Sequence, residues 1–66
     1  MATKRLKMEM EILQADHAKA FLESASYLEP MQDLGEKIVH FGVDSIGREF
    51  ILIASMAGDV AKLGFL

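Results

Sequence analysis

The sequence predicts an α+β fold, on three observations. Apolar and charged residues alternate strictly from Leu6 to Ile12, the spacing turns helical from Ala18, and two β-rich runs flank Asp44-Ser-Ile-Gly47. The predicted order over residues 1–66 is β-α-β-β-β, a single module with no linker. Its antiparallel sheet would carry one helix packed on a face.

In the first segment Leu6, Met8, Met10 and Ile12 are apolar while Lys7, Glu9 and Glu11 are charged. Side chains of a strand point alternately to its two faces, so this pattern is a half-buried strand. Met, Glu, Lys and Leu are also good helix formers, but in a helix the apolar positions would scatter around the axis. Asp16 then reads as an N-cap, a carboxylate able to accept the free N–H groups of the next turn. Ala18, Phe21, Leu22, Ala25 and Leu28 follow helical spacing, with Lys19, Glu23 and Ser26 opposite. The helix is predicted to end near Glu29, before Pro30, with Met31–Gly35 as a connection.

Lys37–Val43 is rich in β-branched and aromatic residues. Asp44 and Gly47 suit the first and fourth positions of a type I turn, and Gly47 supplies the left-handed backbone needed on re-entering the strand. Arg48–Ser55 follows, then a second predicted turn at Met56–Asp59 and a last strand, Val60–Leu66. An all-α three-helix arrangement is the alternative, because Ile46, Phe50, Ile53, Ala57 and Val60 also fit helical spacing. Gly42, Gly47, Gly58 and Gly64 sit better in turns and bulges than in helix interiors.

Arg48–Ser55 is apolar on both faces, Phe50 and Leu52 on one side, Ile51 and Ile53 on the other. Such a strand is covered twice or sits at an interface. The apolar strand Val60–Leu66 would be an unprotected edge, which another chain must pair. Val60, Leu63, Phe65 and Leu66 are therefore the predicted self-association residues.

Composition narrows the function. A chain of 66 residues buries only about 60% of the surface its unfolded form exposes, and the usual remedy is a staple or a partner. It has no cysteine, which excludes disulfides and thiolate metal sites, and 52% of its residues are hydrophobic. Oligomerisation is the remedy left. His17 and His40 lack ligand spacing, and no motif joins them to Ser24, Ser26, Ser45 or Ser55 as a nucleophile–base pair. The glycines have no phosphate-loop context. No catalytic residue, metal, cofactor or small-molecule substrate is therefore expected. The methionines read as core fillers. The most apolar stretch, Phe50–Ala57, is too short to span a bilayer, no membrane partner is expected, and the missing cysteine and leader pattern suggest an intracellular protein. The net charge is −3, with basic residues crowded at Lys4, Arg5 and Lys7.

The start, Lys7-Met-Glu-Met-Glu-Ile-Leu13 before a helix with Phe21 and Leu22, resembles the first strand and helix of DNA sliding clamps. Phe41–Leu63 is similar to their hairpin and following strand, and the Phe50-Ile51-Leu52 run to that of the heterotrimeric checkpoint clamp. This family, which includes proliferating-cell nuclear antigen, builds rings around duplex DNA from repeated β-α-β-β-β units. The resemblance implies a tethering scaffold in DNA replication or repair, nuclear in a eukaryote and otherwise cytoplasmic. Other copies or other clamp-like chains would be its partners, with Lys4, Arg5, Lys7 and Lys19 nearest DNA phosphates. Two departures stand out: the helix offers Lys19 against Asp16, Glu23 and Glu29, and a second unit with its linker is missing. A small homodimeric interaction module, adaptor-like or antitoxin-like, is the alternative.

Overall fold

The computed structural model describes residues 9–55 and 60–66. Its elements run β1 (Glu11–Gln14), α1 (Ala15–Ser24), β2 (Tyr27–Leu28), β3 (Gln32–Asp33), β4 (Lys37–Val43), β5 (Glu49–Ser55) and β6 (Val60–Phe65). All strand pairs are antiparallel, in the order β1-β6-β5-β4-β2, with β3 also pairing β4. The α+β class is as expected, and α1 packs on one face of the sheet. No helix among the described residues is long and apolar enough to cross a membrane.

The chain's first and last described strands are neighbours: Glu11–Gln14 pairs with Leu63–Val60. Strand β6 is therefore central, held by β1 on one side and β5 on the other, and not the free edge that its sequence suggested. Local patterning carries no information about strand order, which is set by this long-range pairing. The first strand also runs later than Leu6–Ile12. Residues 6–8 lie outside the described residues, Glu9 and Met10 are not in a strand, and β1 begins at Glu11. Its phase is reversed as well, since Leu13 joins the core while Ile12 is 66% exposed.

Helix α1 starts at Ala15, with Gln14 as an extended cap that makes no side-chain bond. Asp16 is thus inside the first turn, where its Oδ1 accepts the His17 N–H at 2.9 Å and its charge suits the helix dipole. The helix stops at Ser24, well short of Glu29. Ala25 turns extended and donates to Leu22 O, and Ser24 Oγ donates to Phe21 O at 2.9 Å. The chain is then claimed by β4. Ser26 N–H donates to Val43 O and its Oγ to Asp44 O, while Glu29 N–H donates to Phe41 O. These bonds satisfy backbone groups that a longer helix would have satisfied internally, so Leu28 lies in a strand and not on the helix. Gly42, opposite Phe50 within β4, makes room for this crossing; a Cβ there would run into Tyr27 O.

The core lies between α1 and the sheet. Phe50 and Leu52 are fully buried, joined by Ala18, Ala61 and Leu63 and flanked by Leu13, Phe21, Leu22 and Phe65. Phe21 meets Phe50 edge-on with ring centroids 4.8 Å apart, and Phe65 at 6.2 Å. Burying each large apolar side chain contributes about 1.5–3 kcal/mol, and each aromatic pair about 0.5–1.5 kcal/mol more.

The β4–β5 hairpin follows the sequence closely. Gly47 N–H donates to Asp44 O at 3.1 Å, Asp44 N–H donates to Arg48 O at 2.9 Å, and Gly47 has φ of 90°. A Cβ at Gly47 would touch nothing, so the requirement for glycine is purely conformational. Gly47→Val is expected to cost on the order of 1–3 kcal/mol, read as a lowered denaturant midpoint. An unchanged midpoint would show that the loop tolerates a β-branched residue at that φ.

Candidate interaction surface

The registers of β4, β5 and β6 sort every side chain onto one of two faces. Because directly paired residues share a face, Phe50, Leu52 and Ala54 lie with Gly42, His40 and Ile38 beneath α1. The opposite face presents the ladder Lys37–Ser55, Val39–Ile53, Phe41–Ile51 and Val43–Glu49. Strand β6 adds Lys62 beside Ile53 and Gly64 beside Ile51, and β1 adds Ile12 beside Lys62. Tyr27 extends the face beside Val43 and is 55% exposed. Val39 is buried among its neighbours here, outside the cluster under α1. Among the described elements none packs over this second face. The two apolar sides of β5 thus have different fates: Phe50 and Leu52 form the core, and Ile51 and Ile53 are half-buried on the uncovered side.

The face has an electrical pattern that the sequence reading missed. Its apolar middle, Val39, Phe41, Ile51 and Ile53, is bounded by Lys37 at one end and Glu49 at the other, both exposed. The signal was present in the alternation of Lys37–Val43 and became readable only with the register. Near Glu49 an open groove of about 390 Å³ is lined by Tyr27, Phe41, Val43 and Leu66 among others.

Of the predicted site residues, Lys19, Val60, Leu63, Phe65 and Leu66 are among the described residues. Lys4, Arg5 and Lys7 lie outside the described residues, as does the turn at 56–59. Lys19 is exposed on α1 in the company of exposed Asp16 and Glu23. Of the predicted self-association residues, Val60 is 44% exposed and Leu66 70% exposed. Leu63, at 4%, is absorbed by the chain's own core, and Phe65 packs against it. A lysine at position 63 would therefore disrupt folding before it reported on assembly.

Chemistry under α1 is sparse. A cavity of about 200 Å³ is lined by Lys19, His40, Ser55 and apolar neighbours. Burial lowers the His40 pKa below its ordinary value. No hydrogen bond among the described residues engages the ring of His17 or His40. Among the described residues no group of three or more His, Asp or Glu side chains is placed to hold a metal ion.

No family model, curated protein or solved structure matches the chain.

The strongest polar construction is the knot that closes the hairpin carrying the uncovered face. Asp44 is 3% exposed. Its Oδ1 accepts the N–H groups of Arg48 at 2.8 Å and Ile46 at 3.1 Å, and its Oδ2 accepts Arg48 Nε at 2.9 Å. Arg48 in turn lies over the Phe65 ring, 4.0 Å from its centroid. Burial alone would raise the Asp44 pKa, but the bonds from Arg48 and Ile46 outweigh it and hold the carboxyl below its ordinary value. The unfolded chain then binds more protons than the folded one as pH falls, so stability rises with pH. Asp44 contributes fully above the unfolded carboxylate value of about 3.9, and the contribution is lost as pH drops through the lower folded value. His40 has the same sign at milder acidity, because its neutral form is the one favoured by folding. Thermal melts should show Asp44→Asn lowering Tm at pH 7, with the difference from the unaltered chain shrinking at pH 2–3. His40→Gln should flatten the slope just below neutrality. A difference for Asp44→Asn that is independent of pH would refute the knot.

Proposed function

We propose that the chain is a binding and assembly module that associates with copies of itself and performs no covalent chemistry. One observation carries this reading. A sheet face that is apolar at its centre and over which no described element packs, in a chain without cysteine, has a cost in water that a partner removes. The histidines and serines are dispersed along the sequence, and no hydrogen bond among the described residues joins a serine to a histidine, which supports binding over catalysis. An intracellular setting accords with the lack of cysteine.

The second reading is a clamp-like unit that tethers factors to DNA during replication or repair. It is favoured by the order of a strand, a helix and, after the short strands β2 and β3, the antiparallel meander β4-β5-β6. It needs a basic surface toward the duplex, and α1 presents Asp16 and Glu23 around Lys19. That balance places the self-associating module first, with Lys4, Arg5, Lys7 and Lys19 as the phosphate contacts of the second reading.

Sedimentation velocity over a dilution series tests the first reading. Oligomers at micromolar concentration that dissociate on dilution are expected, and a stable monomer throughout would overturn it. Fluorescence anisotropy with primed duplex DNA separates the two. Salt-sensitive binding that is lost on replacing Lys4, Arg5, Lys7 and Lys19 together would establish the clamp-like reading in its place.

A further inference from the structure

We infer that the uncovered sheet face is a two-fold interface with a second copy of this chain, closing the pair into a β-sandwich whose two-fold axis runs across the strands. The inference rests on the self-association reading above and specifies its surface and symmetry. Three observations on the face carry it.

The first is size. Strands β4, β5 and β6 are each about 20–24 Å long, β1 about 14 Å and β2 and β3 about 7 Å each; at about 4.8 Å per strand the face is roughly 450 Å², so that a pair covers about 900 Å² of flat area. That is close to the roughly 1,000 Å² a specific interface needs. Facing sheets pack about 10 Å apart in near alignment, and the centre of this face, Val39, Phe41, Ile51 and Ile53, supplies an apolar layer for such packing.

The second is charge. A two-fold across the strands, passing between the Val39–Ile53 and Phe41–Ile51 rungs, lays each of these rungs on the other in the second copy. The same operation lays the Lys37–Ser55 rung on the Val43–Glu49 rung, at both ends of the interface. Lys37 then stands one strand spacing, about 4.8 Å sideways, from Glu49 of the second copy. The roughly 30° rotation between aligned sheets shifts the ends by several ångströms, within the reach of a lysine side chain. A two-fold parallel to the strands would instead set Lys37 level with Lys37 and Glu49 level with Glu49. Like charges facing each other are unfavourable, so the face selects the crosswise axis.

The third is the fit of Lys62, the charged residue inside the apolar field. Lys62 stands on the Ile53 rung and Gly64 on the Ile51 rung. The crosswise axis therefore lays Lys62 over Gly64 of the second copy, where no side chain opposes its stem. The rung of Glu49 of the second copy is the next one outward, within reach of the Lys62 ammonium group, so the interface covers the apolar stem and offers the charge a carboxylate.

The test uses the full chain and charge reversal, with sedimentation velocity as the readout. Lys37→Glu and Glu49→Lys should each weaken the dimer by about tenfold or more, and the double reversal should restore it to near the unaltered affinity. Within one chain these residues stand about 20 Å apart along the strands, so such coupling is intermolecular. Circular dichroism of each variant separates loss of fold from loss of pairing. Ile51→Lys, at the centre of the face, should abolish the dimer while the monomer keeps its β spectrum. A dimer unaffected by Ile51→Lys would overturn this interface while leaving self-association standing. Single reversals without effect, or a double reversal no better than the singles, would overturn the crosswise symmetry. A monomeric unaltered chain would overturn both the interface and the reading beneath it.

Discussion

A helix can cover only the surface that its length spans. With ten residues, α1 is about 15 Å long and about 10 Å across, whereas the sheet is about 24 Å wide from β1 to β2. One such helix buries the middle of one face and nothing on the other. The rest of the molecule follows from this shortage. Phe50, Leu52, Ala61 and Leu63 converge under α1 because that is where cover exists, and Phe21 reaches two aromatic rings from one helical position. Ile51, Ile53, Phe41 and Val43 are left on the side over which no described element packs.

Two devices hold this thinly covered sheet together. The first is the pairing of β1 with β6, which ties the start of the described chain to its end and makes β6 a central strand. It also delivers α1 to the correct face, because Gln14 passes directly from β1 into the helix. The second is the Asp44 carboxylate, which satisfies two backbone N–H groups and the Arg48 guanidinium at the hairpin turn. Arg48 carries that order onward to Phe65 at the rim of the core. A buried carboxylate is tolerated here because every bond it accepts favours its charged form.

What was legible in the sequence is what depends on near neighbours. The two-sided character of β5 follows from simple alternation, and Phe50/Leu52 and Ile51/Ile53 do lie on opposite faces. Gly47 was identifiable because one turn type demands its backbone conformation. The two-residue strands β2 and β3 were not legible, since strands that short have no periodicity to detect. The early end of α1 was hidden because Ala25 and Leu28 continue the helical pattern while Ser26 is captured by Val43 and Asp44. The phase of β1 was misread for a similar reason: Leu13, one step past the alternating run, is the residue that meets the core. The electrical polarity of the uncovered face depends on Lys37 and Glu49 lying at opposite ends of paired strands. Only the register shows that.

The same register is why the proposed assembly uses the face and not an edge. Pairing by edges needs a long, straight row of free N–H and C=O groups. Strand β1 offers four residues and begins with Glu11. On the other side β2 and β3 have two residues each, with Pro30 between them to interrupt any continuous row. Both edges are thus poor templates. The face is broader, apolar at its centre and marked at its ends by opposite charges. An apolar surface alone would stick to many things in many orientations. Lys37 and Glu49 add orientation, since only one of the two aligned symmetries brings unlike charges together.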